Sequence, residues 1–126
     1  MSREFMRRVD EQLRQVVADE VTRLKDPGLG FVTVTAVKAS PDLRMARVYY
    51  TVLGGDEERA ETAAALTRAR ARIRSAVGSR VRLKYLPDLE FAYDESIDHG
   101  IHMEELLQRL REEDDDLAGH GDGGGG

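Results

Sequence analysis

The chain has 126 residues, 40% of them apolar, with no cysteine and a formal net charge of −5. That length suffices for about one hydrophobic core, and the missing thiols exclude a disulfide framework, a thiolate metal site and a cysteine nucleophile. No apolar run approaches the roughly 20 residues that cross a bilayer, and the start MSREFMRRVDEQL carries charges where a signal peptide needs its apolar stretch, so a cytoplasmic protein without membrane contact is expected.

From Arg3 to Lys25, Val9, Leu13, Val16, Val17 and Leu24 recur on one face of an amphipathic helix, which Asp26-Pro27-Gly28 ends because the residue before proline is pushed out of the α region. Phe31 to Ala39 sets Val32, Val34 and Ala36 against Thr33 and Thr35, and Arg44 to Leu53 sets Ala46, Val48, Tyr50 and Val52 against Arg47, Tyr49 and Thr51. With Ser40-Pro41-Asp42-Leu43 as the turn, the two runs predict a β-hairpin with one buried face. Gly54-Gly55 breaks the second strand, Asp56 is a candidate cap, and an alanine-rich helix continues to about Val77 before Gly78 interrupts it. Leu89, Phe91 and Tyr93 then alternate inward along a third strand. Ile101, Met103, Leu106, Leu107 and Leu110 predict a last amphipathic helix, with order ending near residue 112 and residues 113–126 forming an acidic, glycine-rich disordered tail.

Charge is distributed unevenly along this plan. Residues 1–100 hold 17 basic and 16 acidic side chains, whereas residues 101–126 hold 2 basic and 8 acidic ones. The deficit belongs to the C-terminal segment. Between Arg68 and Lys84 lie seven basic residues and no acidic one, and the local field rather than the net charge guides a phosphate backbone.

Projected at about 100° per residue, the second helix turns Leu66, Ala69, Ile73, Ala76 and Val77 toward the sheet and Ala60, Ala64, Thr67, Ala71 and Ser75 away from it. Arg68 and Arg72 flank one edge of that small-residue ridge, and Arg70 and Arg74 flank the other. A ridge without bulk admits a sugar-phosphate backbone, and guanidinium groups on either side can hold phosphate oxygens bidentately. The competing interpretation is an ordinary solvated helix face. At the helix end Ser75, Ala76, Gly78 and Ser79 stand beside Arg80, Arg82 and Lys84, where glycine allows a change of direction.

The expected architecture is α+β, in the order α-β-β-α-(kink)-α-β, with a three-stranded sheet and its helices on one face. This is the order of a type II KH-like domain, whose broken helix normally carries a GxxG loop that clamps nucleic-acid backbone; here Ala76-Val77-Gly78 occupies the break. The motifs Arg23-Leu24-Lys25-Asp26-Pro27, Val34-Thr35-Ala36-Val37, Ser40-Pro41-Asp42-Leu43, Ala46-Arg47-Val48-Tyr49, Ile73-Arg74-Ser75-Ala76-Val77-Gly78, Leu83-Lys84-Tyr85-Leu86-Pro87-Asp88-Leu89-Glu90-Phe91 and Asp94-Glu95-Ser96-Ile97 together resemble the ribosome-binding factor A family, from Arg8 to about Leu107. That resemblance implies a KH-like RNA-binding domain over residues 1–112 with an Ala-x-Gly kink in place of GxxG. It also implies a monomeric, non-enzymatic partner of the free 30S small ribosomal subunit that assists late maturation of 16S rRNA, its 5′ end included, and supports growth in the cold. Arg68, Arg70, Arg72, Arg74, Ser75, Ala76, Gly78, Ser79, Arg80, Arg82 and Lys84 are the expected RNA-binding residues.

Two other classes compete. A protein-interaction module pairing through its hairpin edge predicts a stable dimer and little sensitivity to salt. Asp94, Glu95, Asp98, His99 and His102 are of the types used for metal ligation or paired-carboxylate catalysis, yet they join a strand to an amphipathic helix, where such residues cap and lie exposed. No Walker loop or nucleophile elbow is present. No cofactor, metal, small-molecule substrate or catalytic residue is expected.

Overall fold

In a computed structural model, which describes residues 2–96 and residue 111, the first helix, α1, runs Arg3–Arg23. The Ser2 hydroxyl caps it by accepting the Phe5 N–H at 3.0 Å, and Glu4 stands in the first turn, where the helix dipole favours an anion. Its buried stripe is Val9, Leu13, Val16, Val17 and Val21. Val21 was missed by the periodicity, and Leu24 has left the helix as an extended C-cap.

β1 (Val32–Ala39) and β2 (Met45–Val52) form the expected antiparallel hairpin. Simple alternation predicts Val34 and Ala36 on the buried side, but the register shifts between those residues. Thr35 is the extra residue of a β-bulge, so Val34 and Val37 are buried while Ala36 is only half-buried. At the turn, the Ser40 N–H donates to the Met45 carbonyl at 2.8 Å and the Leu43 N–H to the Ser40 carbonyl at 2.8 Å. The Asp42 carboxylate accepts the Arg44 N–H at 3.1 Å and the Ser40 hydroxyl at 2.7 Å.

Leu43 has φ +62° although its side chain is 2% exposed. Left-handed backbone costs a leucine about 1–2 kcal/mol, and burial in the core offsets that cost. Leu43→Ala is expected to lose about 2–4 kcal/mol in urea unfolding. Leu43→Gly should be no worse despite the larger deletion, because glycine removes the backbone strain; a glycine variant clearly less stable than the alanine one would contradict this balance.

α2 spans Asp56–Arg80 and β3 spans Asp88–Tyr93. Gly54 has φ +131° and no room for a Cβ, which would meet Glu58 Cγ at 2.7 Å. The cap differs from expectation: Gly55 is the N-cap, Asp56 begins the helix, and Glu58 reaches back to accept the Gly55 N–H at 2.8 Å. β3 lies parallel to β2, with Leu89 opposite Ala46, Phe91 opposite Val48 and Tyr93 opposite Tyr50. The sheet order is β1-β2-β3. Buried residues of all three strands join those of α1 and of α2 (Leu66, Ile73, Val77) in one hydrophobic cluster, and Tyr50 meets Tyr93 edge-on at 5.8 Å. Thr62 and Ala65 are buried too, whereas Ala69 and Ala76 are only partly so.

This is the α+β arrangement the sequence implies, consistent with a KH-like fold. One detail is corrected. The helix does not break at Ala76-Val77-Gly78: α2 continues to Arg80, and the Val81 N–H still donates to the Val77 carbonyl at 2.8 Å. Burial of Val77 and Val81 holds this last turn down. Gly78 permits a close approach, since a Cβ there would lie 3.2 Å from Leu86 Cδ2.

One compact unit ends at Tyr93 and a second begins at Asp94. Within the second, the Asp94 carboxylate accepts the Ser96 N–H at 3.1 Å and the Ser96 hydroxyl at 2.5 Å, a capping arrangement. Asp98, His99, His102, the helix expected from Ile101 to Leu110 and the tail from residue 113 lie outside the described residues.

Candidate nucleic-acid interface

The small-residue ridge of α2 is exposed at Ala60, Ala64, Thr67, Ala71 and Ser75. A groove borders it on each side. One, of about 540 Å³, is lined by Met45, Arg70, Ala71, Arg74, Asp88, Leu89 and Glu90; the other, of about 590 Å³, is lined by Leu24, Lys25, Asp26, Pro27, Arg68, Ala69 and Arg72. The two expected rows of arginines thus belong to two separate grooves.

The seven basic residues from Arg68 to Lys84 are not equivalent. Arg68 donates Nε and Nη2 to the Asp26 carboxylate at 3.0 and 2.9 Å. Asp26 also accepts the Gly28 N–H at 2.9 Å, and Thr62 Oγ1 accepts the Gly30 N–H at 3.2 Å, so the α1–β1 loop is fastened to α2 at two points. Arg74 donates Nε to the Pro87 carbonyl at 3.1 Å and Nη2 to the Leu86 carbonyl at 3.0 Å, and its Nε lies 3.2 Å from Asp88. Arg80 bridges to Asp19 at 3.0 Å and Glu20 at 3.7 Å on α1. These three arginines fasten α2 to its surroundings.

Arg70, Arg72, Arg82 and Lys84 are exposed and hold no ion pair among the described residues. Lys84 and Arg44 instead lie 5.5 and 4.2 Å from the Tyr85 ring centroid. Of the remaining expected residues, Ser75, Gly78 and Ser79 are exposed and Ala76 is half-buried. The Ser79 hydroxyl donates to the Ala76 carbonyl at 3.0 Å. Because the helix does not break, the backbone N–H groups around Gly78 stay inside it. Tyr85, which the sequence presents only within the Leu83 to Phe91 motif, is brought beside Arg44 by the fold.

The Arg68 guanidinium holds the Asp26 carboxyl below its ordinary value of 3.8, with help from the Gly28 N–H. The Ser40 hydroxyl and the Arg44 N–H do the same for Asp42. A depressed folded value means that the stabilisation is present above about pH 3.8 and is lost as pH falls through the lower folded value. Thermal melts of the wild type should therefore drop in that acid window, and Asp26→Asn should shrink the drop; an unchanged acid profile in the variant would contradict the role of Asp26.

On this face a run of small side chains is bordered by free guanidinium groups, an arrangement suited to phosphate oxygens. Independent comparisons agree on a family. The family model described as ribosome-binding factor A matches residues 5–107. A ribosome-binding factor A from Halothermothrix orenii is 41% identical over 116 residues, covering 91% of this chain and 95% of the relative. The crystal structure of ribosome-binding factor A from Thermus thermophilus superposes with a TM-score of 0.64 at 35% identity, covering 70% of this chain and 94% of that one. A homology model of the Thermus thermophilus factor, as fitted into the cryo-EM map of its complex with 30S, gives 0.57 at 36% identity, covering 68% and 91%.

Proposed function

Because the chain belongs to the ribosome-binding factor A family, we propose that it binds the free 30S small ribosomal subunit through the basic face of α2 and assists late maturation of 16S rRNA, its 5′ end included. In this reading the protein is a cytoplasmic, monomeric binding factor that performs no catalysis and supports growth in the cold. The KH-like RNA-binding domain of this reading contains the described residues 2–93.

The observation that carries the reading is the set of cations without an ion pair among the described residues, Arg70 and Arg72 on α2 and Arg82 and Lys84 just beyond its end, beside Arg68, Arg74 and Arg80, which hold the helix in place. Arg68, Arg74 and Arg80 border the same RNA path and set its shape, while Ser75, Ala76, Gly78 and Ser79 let the backbone come close. Support for the subunit as partner comes from the Thermus thermophilus factor, fitted in a 30S complex.

Pelleting with purified small subunits tests this. With about three phosphate contacts, affinity should fall about 40-fold between 50 and 200 mM monovalent salt. Salt-insensitive association, together with a dimeric mass, would instead favour a protein-interaction module using the hairpin edge.

A further inference from the structure

The connection between α2 and β3 is anchored at several points. Arg74 grips the Leu86 and Pro87 carbonyls, Leu86 sits against Gly78, and the Asp88 N–H donates to the Arg44 carbonyl at 2.9 Å. Just before these anchored residues Tyr85 remains 36% exposed, with the Arg44 guanidinium 4.2 Å from its ring centroid. Arg82 and Lys84, on the same connection, hold no ion pair among the described residues.

We infer that Arg44 and Tyr85 form a stacking platform for an unpaired RNA base. This rests on the reading of α2 as an rRNA-binding face and adds a base contact to its phosphate contacts. Every nucleobase has a π-face that stacks on an aromatic ring or a guanidinium plane, so such a platform holds a splayed base without selecting its identity. A nucleotide also supplies the phosphate that Arg82 and Lys84 lack, whereas an apolar protein side chain on Tyr85 would leave those charges beside a desolvated contact without partners. Asp88, a few residues further on, does not oppose a phosphate freely, because Arg74 engages it at 3.2 Å. Tyr49 is less suited: it is half-buried on the face where Arg47 pairs with Glu90 at 3.3 Å.

The test compares Tyr85→Phe with Tyr85→Leu on purified small subunits across a salt series, after thermal melts establish that both variants are folded. Tyr85→Phe keeps the ring and should bind like the wild type. Tyr85→Leu keeps an apolar side chain but removes the π-face, and should lose roughly ten- to a hundred-fold in affinity with an unchanged salt slope. Ultraviolet irradiation of the wild-type complex should leave a nucleotide adduct on the peptide containing Tyr85. Full affinity in Tyr85→Leu, as expected if the residue docked on a ribosomal protein through apolar contact, overturns the platform and leaves the α2 reading intact. Wild-type binding without salt dependence overturns the α2 reading and the platform with it.

Discussion

Replacing Arg70, Arg72 and Arg82 together by glutamate is expected to lower affinity for the small subunit at least about a thousand-fold. Each charge-assisted hydrogen bond contributes about 1.5–3 kcal/mol, and about 1.4 kcal/mol corresponds to a factor of ten, so three lost contacts are enough before any repulsion is added. The fold should survive. All three side chains are exposed and without ion pairs among the described residues, and substitutions at such positions usually stay within about 0.5 kcal/mol each. Arg74→Ala should show the opposite balance: it leaves the Leu86 and Pro87 carbonyls without their donor and should cost about 1–3 kcal/mol of stability. Subunit pelleting together with thermal melts separates the two classes. A triple variant that binds normally would remove this face from the account.

Ile73→Ala is expected to cost about 2–5 kcal/mol. Ile73 is 0% exposed and lies within the cluster that joins α2 to α1 and the sheet. It also lies between Arg72 and Arg74, so loosening its anchor loosens both grooves. Typical stabilities of about 5–15 kcal/mol leave little reserve against such a loss. Urea unfolding should show a midpoint shifted strongly downward with a similar slope; an unchanged midpoint would mean that α2 is held mainly by its polar fastenings.

Much of the fold was legible because it follows from local periodicity. Val9, Leu13, Val16 and Val17 share a helical face whatever lies opposite them, and Ala46, Val48, Tyr50 and Val52 alternate into the core as written. What escaped depends on partners far along the chain. The exchange of Ala36 for Val37 arises from a bulge that exists only when β1 pairs with β2. Leu43 takes a left-handed turn position because the core accepts its side chain. Gly78 resembles a helix breaker until Leu86 is seen to approach it.

The candidate site divides in the same way. The ridge and its two rows of arginines follow from spacing within one helix. Which arginines are committed does not, because Arg68 pairs with Asp26 and Arg80 with Asp19, partners that only the tertiary fold brings close. The seven cations look alike in the sequence. The structure distinguishes three that fasten the helix from four that face solvent.

A cryo-EM density map of this protein on the small ribosomal subunit tests the central claim most directly. The account predicts rRNA phosphates within hydrogen-bonding reach of Arg70, Arg72 and Arg82, with the backbone running over Ala64, Thr67 and Ala71. A map in which those side chains face solvent, with the contact made through another face, would contradict it.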